Sequence, residues 1–171
     1  AAGDITIQSG VTVNLCLNDN DLNMGNYYIS VSDGATLNIY DCKNHGEISN
    51  SSTSMAPAII DNSGGTVNLH GGTISYAGAY GSAIHNSSDG VLNIYSGAAV
   101  ESTESGDAVY TDTSGSVNIY GGTVESAGGT ALYNLGTANI TGGEVTSRST
   151  DYTVYNRGGT LTVGGSAEIY N

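Results

Sequence analysis

The chain has 171 residues, with 26 Gly, 1 Pro and neither Trp nor Phe. Sixteen acidic residues against three basic ones give a net charge of −13. Such a surface repels phosphate backbones, anionic membranes and polyanionic glycans, which argues against nucleic acid as a partner and leaves neutral sugars, proteins and multivalent cations.

The first structured phrase is VTVNLC (11–16), which alternates apolar and polar residues as a half-buried strand does. DNDLNMG (19–25) follows. Its Asp19, Asp21 and Asn23 place oxygen groups at alternate positions, like the start of a calcium loop. Gly25 falls one place late for that loop and no Glu closes it. A polar turn is the expectation, and a calcium ion near Asp19, Asp21 and Asn23 is the lesser alternative.

ATLNIY (35–40) repeats the opening phrase, and the stretch 43–58 then swells that repeat to 30 residues. Cys42 and His45 form a C-x-x-H without a second pair, so zinc is not expected. From there the phrases come regularly: GTVNLH (65–70), GVLNIY (90–95), GSVNIY (115–120), GTANIT (136–141) and GTLTVG (159–164). A second phrase follows each: GGTIS (71–75), GAAVE (97–101), GGTVE (121–125), GGEVT (142–146) and GSAEI (165–169). A third closes the repeat: SAIHN (82–86), DAVYT (107–111), TALYN (130–134) and YTVYN (152–156).

No window carries the i, i+3, i+4 stripe of a helix, and β-branched residues, Gly, Ser, Thr and Asn dominate. Three short strands per 21–30 residues fit one turn of a parallel β-helix, whereas a propeller blade needs roughly 40–45 residues. The expected fold is all-β: a right-handed single-stranded parallel β-helix of about six to seven coils. The coils start near residues 11, 35, 65, 90, 115, 136 and 159 in one domain spanning 1–171. A lone coil cannot bury enough apolar surface to offset its ordering entropy, so each must stack on its neighbours, and end coils are expected to fray. The chain begins at Ala1 and its last phrase stops at Asn171 in mid-repeat, so it reads as a piece excised from a longer protein.

Equal position in the repeat predicts columns. Val13, Leu37, Val67, Leu92, Val117, Ala138 and Leu161 form one inward column, and Leu15, Ile39, Leu69, Ile94, Ile119, Ile140 and Val163 form another. Between them run Asn14, Asn38, Asn68, Asn93, Asn118 and Asn139, then Thr162. Six Asn in register, in a residue type that strands disfavour, predict a ladder of side-chain amides. Asn62, Asn86, Thr111, Asn134 and Asn156 predict a second polar ladder at a corner. Cys16 and Cys42 fall on neighbouring coils but offset along the strand. Two separate buried or half-buried thiols are the expectation, with a disulfide in a secreted setting the alternative.

GGTVNLHGGTIS, GSVNIYGGTVES and GTANITGGEVTS resemble the right-handed parallel β-helix repeats of large Gram-positive, gut-type bacterial surface proteins. VNLCLN (13–18) and GATLNIYDC (34–42) resemble a recurring lead-in of the same family. The resemblance covers nearly the whole chain. It implies an extracellular or wall-attached, adhesin-like or stalk role, with a host-cell or matrix glycan or protein as partner. The same fold also hosts pectate lyases and polygalacturonases, so fold does not decide function.

Enzymatic chemistry on this fold needs clustered carboxylates, or a bound cation with a base. Glu101 and Glu125 share a second-phrase column, Asp107 and Asp112 flank a third-phrase strand, and Asp151 lies between Arg148 and Arg157. Stacked glutamates could act as a glycosidase pair, but two solvated side chains are the plainer reading. No Asp triad with Gly-His-Gly is visible. A non-catalytic module without cofactor is expected, with a polysaccharide lyase or glycoside hydrolase as the alternative. The clearest functional signal is aromatic: Tyr40, His70, Tyr95 and Tyr120 share one outward column, and His85, Tyr110, Tyr133 and Tyr155 another. Such rows are expected to present ring faces and hydroxyl rims to a sugar or protein, or else to shield the sheet by stacking on each other.

Overall fold

Each recurring phrase forms a strand, and each strand pairs in parallel with its copy one coil away. The computed structural model describes residues 1–43, 45–50 and 58–171. Half of the expected 43–58 insert, residues 44 and 51–57, lies outside the described residues.

The first phrase builds a seven-stranded sheet from β2 (Thr12–Cys16), β5 (Thr36–Tyr40), β8 (Thr66–Leu69), β11 (Val91–Ile94), β14 (Ser116–Ile119), β17 (Thr137–Ile140) and β20 (Thr160–Val163). The second phrase builds another from β3 (Asp21–Asn23), β6 (Glu47–Ser49), β9 (Gly72–Tyr76), β12 (Ala98–Ser102), β15 (Thr123–Ser126), β18 (Glu144–Ser147) and β21 (Glu168–Tyr170). The third phrase builds the last from β1 (Ile5–Ile7), β4 (Ile29–Ser32), β7 (Ala58–Ser63), β10 (Ser82–Ser87), β13 (Asp107–Thr111), β16 (Leu132–Asn134) and β19 (Val154–Asn156). The described residues thus form a β-solenoid of seven coils with three strands each and no helix.

The predicted columns coincide with the strand register. Leu92 sits opposite Val67 and Val117, and Ile94 opposite Leu69 and Ile119. These residues and their copies fill a bore of Ile, Val and Leu that is essentially closed to solvent from Leu37 to Val145. The end coils differ. Val13, Leu15, Val154 and Leu161 are only partly buried, because each pairs with a coil on one side only.

Two sequence expectations are corrected. DNDLNMG is not simply a turn: its Asp21–Asn23 is strand β3, pairing with Glu47–Ser49 while Leu22 packs against the core. The last second-phrase copy also slips by one residue, because Val145 pairs with Ile169 and so aligns GGEVT with residues 166–170 and not with GSAEI. The core decides both cases, since a strand must aim its large apolar residue inward. The short strands β1, β4 and β6 also carry no full copy of a phrase, and they become strands through pairing with stronger neighbours.

The Asn ladder forms as predicted. Asn38 donates to Asn14 at 2.8 Å, Asn68 to Asn38 at 2.8 Å, and Asn93 to Asn68 at 2.8 Å. Asn118 donates to Asn93 at 2.9 Å, and Asn139 to Asn118 at 3.0 Å. The second polar column is buried from Asn62 to Asn134, exposed at Asn156, and interrupted. Asn62 donates to Asn86 and Asn134 to Asn156, each at 2.7 Å, but Thr111 stands between the two pairs.

Candidate functional site

In the first aromatic row, each ring follows the last residue of a strand or ends it. The register stacks Tyr40, His70, Tyr95 and Tyr120 with their rings nearly parallel. Ring centroids lie 4.7, 4.6 and 5.2 Å apart, and the interplanar angles are 6°, 8° and 23°. Strand spacing of about 4.8 Å is close to a ring-stacking distance, so in-register aromatic residues stack without adjustment.

The row takes the second of its two expected arrangements, rings stacked on each other. Stacking spends the ring faces on each other, so the row offers solvent its edges and polar rims. Tyr120, at the end of the stack, is the most open, with half of its surface exposed, and Tyr40 is 37% exposed.

The second row lies on the third sheet and is less regular. Tyr110 and Tyr133 stack at 5.0 Å and 22°, while Tyr133 and Tyr155 meet edge-on at 5.0 Å and 67°. His85 is tilted 59° to Tyr110 at 5.4 Å. Three partners of this row were not foreseen. Tyr152 stacks on Tyr155 at 4.9 Å, the Arg157 guanidinium lies beside the Tyr133 hydroxyl, and Asp61 meets His85 Nδ1 at 3.1 Å. Asp61 was legible in principle: Ile60-Asp61-Asn62 copies Ile84-His85-Asn86, which places it in the same column.

Gly81, Ser82, His85, Asp107 and Tyr110 line a shallow groove beside this row. Burial raises the Asp107 carboxyl above the usual aspartate range, although the Thr130 N–H, 2.8 Å from Asp107 Oδ1, opposes the shift. Burial also raises the Tyr110 hydroxyl, helped by the charge of Asp112. A carboxylate, an imidazole and a phenol thus gather at one place, all suited to hydrogen-bonding hydroxyl groups.

The second sheet carries the carboxylates considered for catalysis. Glu101 and Glu125 pair in register, as expected. Each is already held: Ser75 Oγ donates to Glu101 at 2.7 Å, and Arg148 meets Glu125 at 3.0 Å. The structure does not join Arg148 and Arg157 around Asp151; Arg148 pairs with Glu125 instead, and Arg157 lies near Tyr133.

Of the residues considered for calcium, Asp21 and Asn23 belong to β3. Asn23 Oδ1 accepts the Gly25 N–H at 2.8 Å, and Asp19 occupies a left-handed turn with Asn18. Among the described residues, no group of three or more His, Cys, Asp or Glu side chains is placed to hold a metal ion.

Cys16 and Cys42 are two free thiols, as expected, but they are neither buried nor apart. Both are exposed, and their sulfurs lie 3.5 Å apart. Asp41 brings them together, a residue that sequence reasoning passed over. Its carboxylate accepts backbone N–H groups from Asp19 at 2.9 Å, Gly46 at 2.7 Å and Lys43 at 3.4 Å, tying two coils at one corner. The Gly46 bond chiefly holds the Asp41 carboxyl below its ordinary value.

Compared with protein-family models, with curated proteins and with solved structures, the chain gives no match.

Proposed function

We propose that the chain is a non-catalytic, extracellular β-solenoid module of a bacterial surface protein. It acts as an adhesin or stalk and docks a host-cell or matrix glycan or protein on its exposed Tyr rows. The observation that supports this most is the pair of aromatic rows on two sheets of an in-register stack. Seven coils at about 4.8 Å each make a rod roughly 30 Å long, and the rows run along it. Ring edges with hydroxyl rims suit partners that both hydrogen-bond and pack, as sugars and protein interfaces do. The charge of −13 favours neutral or cationic partners.

A polysaccharide lyase or hydrolase reading finds less support, because Ser75 and Arg148 occupy the Glu101 and Glu125 carboxylates. The test is a glycan-array and cell-attachment screen of the chain against Tyr120→Ala and Tyr133→Ala. Attachment lost with folding intact supports the adhesive role, and attachment unchanged leaves only the stalk. Glycan turnover abolished by Glu125→Gln would replace this reading with the enzymatic one.

A further inference from the structure

We propose that Cys16 and Cys42 form a thiol–disulfide exchange site through which a low-molecular-weight disulfide cross-links the first coil to the second. Two independent features place the sulfurs. The backbone pairs Cys16 with Tyr40, and the Leu17 N–H donates to Tyr40 O at 2.8 Å, so coil one is in register beside the segment leading to Cys42. Asp41, which immediately precedes Cys42, binds N–H groups on both coils and fixes the turn that presents it. Neither thiol is buried, so a small disulfide can reach both.

The chemistry balances without a cofactor. One Cys loses its proton, and its thiolate attacks a sulfur of RS–SR. A protein–SR mixed disulfide forms and RS⁻ leaves. The second Cys then loses its proton and attacks the protein sulfur of that mixed disulfide, which closes the Cys16–Cys42 bond and expels the second RS⁻. The protein gives up two electrons and two protons, and the reagent is reduced to two thiols. Cys42 holds its proton above the ordinary thiol range, first through its hydrogen bond with Cys16 and then through the charge of that sulfur, burial and Asp41. Either sulfur can make the first attack, and the other, 3.5 Å away, resolves it.

The cross-link acts where the stack is weakest. Strand β2 pairs on one side only, and Thr12, Asn14 and Cys16 are exposed. Joining residues 26 apart removes disorder available to a detached first coil.

The experiment uses the whole chain and cystamine, whose positive charge suits an acidic surface. After incubation and removal of reagent, intact mass, thiol count and amide exchange are measured. The expected product is monomeric, two hydrogens lighter and free of thiols, and it reverts with dithiothreitol. It forms at least ~10-fold faster in the folded chain than in urea. Amide exchange over residues 12–16 slows by roughly tenfold. Cys42→Ser is expected to retain cystamine on Cys16 as a stable adduct. Stable adducts on both cysteines, covalent dimers, a rate no faster than in urea, or unchanged exchange over 12–16 would each overturn the proposal.

Discussion

Asn62 and Asn86 stack in register one coil apart, and Asn62 donates its side-chain nitrogen to Asn86 Oδ1 at 2.7 Å. Asn134 repeats this toward Asn156. Both bonds point toward the later coil, opposite to the first ladder, in which Asn38 donates back to Asn14. Thr111 breaks the buried series, and its hydroxyl and Asn134 Oδ1 are buried without a hydrogen-bond partner.

Thr111→Asn is therefore expected to stabilise the fold. An amide there accepts from Asn86 and donates to Asn134 Oδ1, and Gly115 leaves room beside it, as Gly90 does beside Asn86. Satisfying a buried acceptor contributes about 1 kcal/mol. Urea unfolding measures it, and a midpoint at or below that of the parent chain would show that the column does not accept the larger side chain.

Removing a rung from the middle of the exposed ladder is expected to destabilise. Asn93→Ala deletes both the bond to Asn68 and the bond from Asn118, at about 1–2 kcal/mol. Asn139→Ala deletes only the bond to Asn118 and is expected to cost about half as much. Equal urea midpoints for the two variants would contradict the ladder's contribution.

Gly106→Ala is expected to destabilise by about 1–3 kcal/mol. The added carbon would stand 2.7 Å from Tyr76 Cε1, 2.9 Å from Gly78 O and 3.0 Å from Gly81 O. Tyr76 is fully buried and donates its hydroxyl to Tyr80 O, so neither the ring nor the backbone can easily yield. Thermal unfolding with the near-ultraviolet tyrosine signal checks this, and an unshifted transition would refute it.

Two aspartates are expected to tilt the pH dependence in opposite directions. Asp107 is raised by burial, so the folded state binds its proton more tightly than the unfolded state. Its contribution is complete below the unfolded value of ~3.9 and is lost as pH rises through the raised folded value. Asp41 is lowered, chiefly by the Gly46 N–H. Its contribution is present above the unfolded value and is lost as pH falls through the lowered folded value. Asp107→Asn should flatten the first slope and Asp41→Asn the second. Urea midpoints from acid to neutral pH measure both, and a variant whose profile runs parallel to the parent's would remove that aspartate from the account.

The sequence by itself determined the stack: which residues share a column, that Val67, Leu92 and Val117 line the bore, and that Asn93 bonds its neighbours. It could do so because parallel pairing in register turns position within a repeat into a spatial coordinate. The tertiary structure decided what happens at the ends, turns and outer face. There it brought Cys16 beside Cys42, gave Asp61 to His85 and Arg148 to Glu125, and made a strand of Asp21–Asn23. It also stacked the rings of the first row face to face, so their edges meet solvent. These outcomes depend on turn geometry, side-chain rotamer and the demands of a shared core, none of which a repeat period records.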